Sequence, residues 1–117
     1  MSSVEALWTA KYGTAEYNVG ELEGGVIIIE TGKIYGGDSI YAYRGDFTVN
    51  ADIVEGNLTM YRHNWADGSQ SLYETQEASF SSLFIGTRQG DDQISGKIVR
   101  QGFPDAFFQL TRLQNLD

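Results

Sequence analysis

The only histidine of the chain, His63, carries the side chain best suited to proton transfer near neutral pH. Nucleophilic catalysis would need it to face a serine and a carboxylate, and no serine of the sequence lies in a G-x-S-x-G elbow. His63 stands beside Asn64 and Trp65 at the end of a predicted strand, where a single histidine is typically structural or solvated. We therefore expect no catalytic role for it.

Carboxylates are numerous, but none forms a recognisable catalytic or metal-binding pattern. Glu21 and Glu23 are two residues apart and could share a strand face, whereas glycoside hydrolysis needs two carboxyls in different environments across a cleft. Asp91 and Asp92 follow Gly90 in a predicted hairpin turn, and the turn accounts for them. A calcium loop would need acids at alternating positions and a distal glutamate.

Metal and phosphate sites lack their usual ligands. The chain has no cysteine and one histidine, which leaves too few sulfur and nitrogen ligands for a zinc site. The glycine pairs at 24–25 and 36–37 lack the Gly-Lys-Ser/Thr of a phosphate-binding loop. We expect no metal, no cofactor and no enzymatic activity.

Aromatic side chains offer a more specific candidate site. Tyr41 and Tyr43 share one face of a predicted strand, and Tyr61 and Phe84 lie on other predicted strands. If all four face inwards, they could line a cavity that binds a small apolar ligand, which the hydroxyl groups would orient. The alternative is a packed core that buries the rings. Aromatic residues that face outwards would instead indicate a protein interface.

Glycine and proline usage indicates the elements that must position these side chains. The 117 residues include 14 glycines and a single proline, and glycines recur in turn signals such as Thr31-Gly32 and Asp67-Gly68. Glycine lets strands turn and bend sharply, and scarce proline leaves the hydrogen-bond ladders intact. No linker or repeat divides the sequence, so residues 1–117 are predicted to form one all-β domain.

Short segments rich in β-branched and aromatic residues lie between the turns. The predicted strands are 6–12 (with Trp8 as its apolar anchor), 25–30, 33–35, 40–49, 57–63, 80–88, 93–100 and 106–113. Gly45 interrupts the apolar face of Tyr41, Tyr43, Phe47 and Val49, and a bend is expected there. Residues 66–78 fit a short helix or a strand equally well. About eight antiparallel strands leave a barrel or a sandwich, and a barrel removes the exposed edges.

The charge balance and the terminus bear on partners and location. Sixteen acidic and eight basic residues give a net charge of −8, and the basic residues are scattered, which argues against direct nucleic-acid binding. The N-terminus lacks a signal-peptide pattern, and the longest apolar stretch, 26–29, is too short to span a membrane. We expect a cytoplasmic protein without a membrane segment.

Five stretches of the chain resemble the GrlR family, small bacterial β-barrel proteins whose prototype is a negative regulator of a type III secretion locus. They are VGELEGGVIII (19–29), KIYGGD (33–38), YRGDF (43–47), ISGK (94–97) and FQLTRL (108–113). The resemblance covers roughly residues 6–113 and indicates a divergent member. It implies a calycin/lipocalin-like barrel that forms a homodimer and binds a transcriptional activator rather than DNA. The prototype's acidic four-residue loop is not matched at 49–55, so no partner-contact residue is carried over.

Two functions remain open at this point. The first is a non-enzymatic regulatory or protein-binding module, which predicts a filled barrel interior and an exposed apolar patch on the outer wall. The second is a carrier of a small apolar ligand, which predicts an internal cavity lined by Tyr41, Tyr43, Tyr61 and Phe84.

Overall fold

The protein is an all-β barrel, described by a computed structural model for residues 3–15, 19, 22–64 and 78–116. That part of the chain contains no helix and eight strands. The strands are β1 (Ala6–Gly13), β2 (Leu22–Glu30), β3 (Lys33–Gly37), β4 (Tyr41–Asn50), β5 (Ile53–Arg62), β6 (Ser79–Gln89), β7 (Gln93–Val99) and β8 (Ala106–Asn115).

Each strand pairs antiparallel with the next, and β8 returns to pair with β1, which closes the barrel. The closing register runs from Ala6 opposite Asn115 to Gly13 opposite Phe107. Closure leaves no unpaired sheet edge. An eight-stranded barrel has an interior that side chains just fill or that holds one small ligand, so the predicted fold class is confirmed and the two functional alternatives remain.

The two ends of the barrel differ in how the strands are connected. At one end, the turn end, short turns join β2 to β3, β4 to β5 and β6 to β7. Thr31 and Gly32 have φ angles of 54° and 77°, both in the left-handed region that two-residue hairpin turns of type I′ require. The other four connections leave from the opposite end, which we call the loop end. The predicted hairpin at Thr31-Gly32 is therefore confirmed.

Strict alternation of side chains separates the interior from the outer wall. In β6 every second residue from Phe80 to Arg88 is buried, and those between are exposed. The same period in the other strands builds one core, whose largest fully buried side chains are Trp8, Ile29, Val54, Met60, Ile94 and Ile98. Burying a side chain of this size stabilises the fold by about 1.5–3 kcal/mol.

The structure adds detail to the predicted strands on either side of the β4–β5 turn. β5 begins at Ile53, four residues before the predicted start, so residues 49–55 form the ends of two strands and a tight turn. Phe47 is half-buried and Val49 is 43% exposed, because the face that they share with Tyr41 reaches the turn end of the barrel. Of the ambiguous segment 66–78, residues 66–77 lie outside the described residues.

The glycine at position 45, where a bend was predicted, has a clear steric reason. A Cβ added to this glycine would overlap the carbonyl oxygen of Asn57 on the neighbouring strand. Gly45 lies opposite Leu58 on β5 and Ile34 on β3. The missing side chain therefore lets β4 and β5 approach closely at this level of the barrel.

Candidate functional site

The barrel interior contains three of the four aromatic residues predicted to line a ligand cavity. Tyr41, Tyr43 and Phe84 are buried in the core. Tyr61 is 46% exposed and lies on the outer wall, so the prediction that it faces the interior is wrong. The reason is the alternation within β5, where Met60 and Arg62 occupy the inward positions on either side of it.

Within the part of the chain that the structure describes, the interior holds a small apolar cavity. Its volume is about 40 Å³, and Tyr43 and Phe84 line it together with isoleucine, leucine and valine side chains. For comparison, an apolar cavity that accepts benzene measures about 150 Å³. The cavity of this barrel is therefore too small for a drug-sized apolar molecule unless side chains move.

A hydrogen-bond chain links this cavity to the loop end. The Tyr43 hydroxyl is hydrogen-bonded to Tyr12 and donates to the Asp38 carboxylate. The other carboxylate oxygen of Asp38 accepts the backbone N–H groups of Ile40 and Tyr41, each at 2.7 Å. Asp38 thus closes the β3–β4 turn and anchors two buried tyrosines.

Burial determines the acidity of these two tyrosines. Desolvation raises the pKa of Tyr12 above its ordinary value, because burial disfavours the phenolate. Desolvation also raises the pKa of Tyr43, and repulsion from Tyr12 and the hydrogen bond to Asp38 raise it further. Both side chains are therefore neutral hydrogen-bond donors near neutral pH.

His63 has a structural contact. Its Nε2 lies 3.0 Å from the carbonyl oxygen of Asp38, and its side chain is exposed. The backbone N–H of His63 donates to the carbonyl oxygen of Ile40. The exposed side chain of His63 thus lies in the structural or solvated environment expected of it. Its contacts with Asp38 and Ile40 link β5 to the β3–β4 turn.

The loop end also gathers a cluster of aromatic and basic side chains, which we call the loop-end cluster: Tyr41, Arg62, Phe80, Arg100 and Phe103. Tyr41 lies directly opposite Arg62 across β4 and β5, and its ring packs edge-on against Phe80 at 5.6 Å between centroids. The guanidinium of Arg100 lies 4.5 Å from the centroid of Phe80 and 4.2 Å from that of Phe103. Arg62 and Arg100 thus both lie beside aromatic rings at the loop end of the barrel.

The turn end is closed by a contact between the first and last strands. The Arg112 guanidinium lies 4.7 Å from the Trp8 ring centroid. Its Nη2 and Nε donate to the carbonyl oxygens of Ser3 and Asp91, both at 2.7 Å. The Trp8 indole N–H donates to the carbonyl oxygen of Val4 at 2.9 Å. This arrangement holds the chain before β1, the β6–β7 turn and β8 together.

Apolar side chains on neighbouring strands also lie on one side of the outer wall, which we call the outer apolar face: Leu7, Val26, Ile28, Tyr35, Ala42 and Tyr61. One row joins Leu7, Ile28 and Tyr35 across β1, β2 and β3. In the next row Val26 is separated from Ala42 and Tyr61 by Gly37, which adds no side chain. Exposed apolar surface of this kind marks interaction sites.

Two lysines on the wall of the barrel are paired with carboxylates. Lys33 pairs with Asp46 at 2.6 Å, and Lys97 pairs with Asp105 at 3.6 Å. Arg88 is buried and lies 3.5 Å from Asp91. The outer apolar face is bordered by Arg44, which lies opposite Tyr35.

The sequence did not reveal every residue that organises these sites. Asp38 was visible only as a turn residue, although the turn is what places its carboxylate against Tyr43. The inward positions of Arg62 and Arg100 could have been predicted from the alternation of side chains in a strand, because each follows an inward residue by two positions. Arg112 carries no such signal, since its contacts depend on barrel closure.

In the described part of the chain, no group of three or more histidine, cysteine, aspartate or glutamate side chains is placed to hold a metal ion. The same residues contain no helix long and apolar enough to cross a membrane.

The fold and interior define the class of this protein: a closed, eight-stranded antiparallel barrel, consistent with the calycin/lipocalin type, with a nearly filled lumen. No protein-family model matches the chain, and no curated protein is significantly similar to it.

Proposed function

We propose that this protein is a non-enzymatic regulatory module of the cytoplasm that acts by binding a protein partner, such as a transcriptional activator, rather than DNA. The observation that carries the proposal is the outer apolar face, which exposes Tyr35 and Tyr61 to about half of their surface on one side of the barrel. Aromatic residues at the centre of a surface patch are common anchors of protein interfaces.

The interior of the barrel supports the same proposal. A cavity of about 40 Å³ leaves little room for a carried molecule, so the surface available for recognition is the outer wall. The resemblance to GrlR proteins points in the same direction and implies a homodimer.

The charge of the chain favours a basic protein partner over nucleic acid. The net charge is −8, and Lys33 and Lys97 are paired with carboxylates. Such a surface repels phosphate backbones and attracts the basic face of a DNA-binding protein. A partner bound in this way would be kept from its DNA site by sequestration.

Native mass spectrometry of the tagged protein, purified gently from the cytosol of its own host, tests this proposal. We expect a dimer that carries a DNA-binding protein. The Tyr35→Glu variant should lose the partner, because it places a negative charge within the outer apolar face, beside Ile28. Thr87→Glu, exposed on β6 away from this face, is the matched control and should retain it. Gel-shift titration should show that the protein releases the partner from DNA without binding DNA itself.

A carrier of a small apolar ligand is the second candidate, because the lining of the cavity is apolar. A bound small mass that organic solvent releases, without a protein partner, would favour the carrier. Equal partner retention by Tyr35→Glu and Thr87→Glu would contradict a role for the outer apolar face.

A further inference from the structure

Arg44 differs from the other arginines of the chain in its contacts. It lies on the exposed side of β4, and within the described residues its guanidinium makes no hydrogen bond, ion pair or ring contact. The carboxylate that follows it on the same side of β4, that of Asp46, is paired with Lys33 at 2.6 Å. Each of the other four arginines contacts a carbonyl oxygen, a carboxylate or an aromatic ring. The guanidinium of Arg44 is therefore available to a binding partner.

The register of the sheet places this arginine between two exposed tyrosines. Arg44 lies directly opposite Tyr35 on β3 and opposite Thr59 on β5. Tyr61 is the next residue of β5 on the same side of the sheet, diagonal to Arg44, and such neighbours are about 7–8 Å apart. Tyr35 and Tyr61 are 47% and 46% exposed. A cation and two phenol groups thus lie together on the outer apolar face and at its border.

This combination favours a partner that contributes both an apolar and an acidic side chain. Tyrosine and arginine are enriched among the residues that contribute most to interface energy. Ile28 lies opposite Tyr35, which provides an apolar contact next to the cation. A carboxylate accepts two parallel N–H bonds from an arginine, which fixes its position. A phosphate group suits arginine too, but the net charge of −8 repels its larger charge more strongly.

We propose that the outer apolar face binds a segment of its partner in which one acidic side chain pairs with Arg44 and one large apolar side chain packs on Ile28 and Tyr35. This inference rests on the proposed function and adds the chemistry of the partner segment. A partner that is basic overall and carries one acidic residue in this segment suits both the net charge of −8 and the free guanidinium.

The spacing of the strands sets the spacing within the segment. Ile28 and Arg44 are two strands apart in one row, which corresponds to about 9–10 Å. In the polyproline II conformation, residues three positions apart lie on the same side of the chain and are separated by about 9 Å. An apolar residue followed three positions later by an acidic one therefore matches the two contacts.

An NMR titration with the peptide acetyl-Leu-Pro-Pro-Asp-amide tests the inference, and its asparagine analogue is the reference that lacks only the charge. We expect the largest shifts at the backbone amides of Ile28, Tyr35 and Arg44, and about tenfold weaker binding of the asparagine peptide. Arg44→Gln should bind the aspartate peptide about tenfold more weakly than the wild type. Lys11→Gln is the matched control, because it removes an exposed cation of β1, three strands away, and should bind like the wild type.

Equal affinity for the two peptides overturns the inference, as does an equal affinity of Arg44→Gln and Lys11→Gln for the aspartate peptide. Absence of shifts on the outer apolar face at the highest soluble peptide concentration overturns it as well. Tighter binding of a phosphoserine analogue would overturn the carboxylate assignment.

Native mass spectrometry of the same two variants separates this inference from the proposed function. We expect Arg44→Gln to lose the partner that Lys11→Gln retains. Loss of the partner by Tyr35→Glu but not by Arg44→Gln would overturn only the inference. Weaker dimerisation of purified Arg44→Gln would assign the acidic side chain to a second copy and would also overturn it. A wild-type protein that carries no partner would overturn the proposed function, and the peptide titration would then decide the inference alone.

Discussion

Three tyrosines of this barrel show how far the environment decides what one residue type does. Tyr35 is exposed on the outer wall, Tyr43 donates to Asp38 in the interior, and Tyr41 is buried with its hydroxyl unpartnered. Their side chains are chemically identical, yet the first lies on the surface, the second supports a turn and the third packs against Phe80 in the core. Residue type and spacing alone do not separate these roles.

The buried tyrosines should make the stability of the protein fall at alkaline pH. The pKa values of Tyr12 and Tyr43 are raised in the folded state, whereas in the unfolded chain they return to about 10. Above that pH the unfolded state releases protons that the folded state retains, so each tyrosine lowers the free energy of unfolding by about 1.4 kcal/mol per pH unit.

Urea unfolding between pH 9 and about 11.5 measures this dependence. Tyr12→Phe should have a shallower slope than the wild type, and Tyr35→Phe, which removes a hydroxyl from the outer wall, is the control and should keep the wild-type slope. A wild-type slope in Tyr12→Phe would contradict the assignment.

The Trp8–Arg112 contact is the second prediction at the scale of single residues. Arg112→Ala removes the guanidinium from the Trp8 ring and leaves the carbonyl oxygens of Ser3 and Asp91 without this donor. We expect a loss of about 1–3 kcal/mol in the free energy of unfolding.

Equilibrium denaturation of Arg112→Ala beside Arg44→Ala measures this loss, since Arg44 is exposed on the wall and should cost less than about 0.5 kcal/mol. Arg112→Lys should recover only part of the loss, because lysine lacks the planar fork. Full recovery by lysine would show that only the positive charge at this position contributes to stability.

At the scale of the strands, the close approach of β4 to β5 depends on the glycine at position 45. Gly45 lies where a Cβ would overlap the Asn57 carbonyl oxygen, so β4 and β5 approach more closely there than a pair of ordinary residues allows. By contrast, Gly90 lies in a turn with open space around its Cβ position, and its φ of 72° is the reason for glycine there. The two glycines thus serve different purposes.

Substitutions at these two positions should therefore differ in cost. Gly45→Ala should lower the free energy of unfolding by about 2–3 kcal/mol, because the added methyl group forces the strands apart. Gly90→Asn should be nearly neutral, since asparagine tolerates the left-handed conformation. Chemical denaturation of both variants measures the difference, and equal costs would show that β4 can move to accommodate the methyl group.

At the scale of the whole molecule, acidic residues strongly outnumber basic ones. The net charge of −8 acts against compactness through self-repulsion, which salt screens. Acidic residues such as Asp52 and Asp92 are exposed in the turns at the turn end, where they contribute to this repulsion.

We therefore expect the unfolding midpoint to rise by roughly 2–5 °C between low ionic strength and about 150 mM sodium chloride. The double variant Asp52→Asn/Asp92→Asn should start from a higher midpoint and gain less from salt. Scanning calorimetry at several salt concentrations checks this, and a midpoint that falls with salt would mean that favourable ion pairs such as Lys33–Asp46 outweigh the repulsion.

The candidate sites were predicted from the sequence only in part. Tyr41, Tyr43 and Phe84 lie inside the barrel as a ligand-lining role requires, whereas Tyr61 lies outside because β5 assigns its inward positions to Met60 and Arg62. Period 2 predicts which residues share a face, but which of the two faces is buried follows from closure of the whole sheet.

The sequence by itself determined the all-β class, the approximate positions of eight strands and the hairpin at Thr31-Gly32. These depend on local properties: β-branched and aromatic segments, turn residues with left-handed φ angles, and the scarcity of proline. Tertiary structure alone decided that the lumen is nearly filled, that Arg112 packs on Trp8, and that Tyr41 lies beside Arg62 with its hydroxyl unpartnered. Each of these features depends on the register in which strands distant in sequence pair, and local residue patterns do not predict that register.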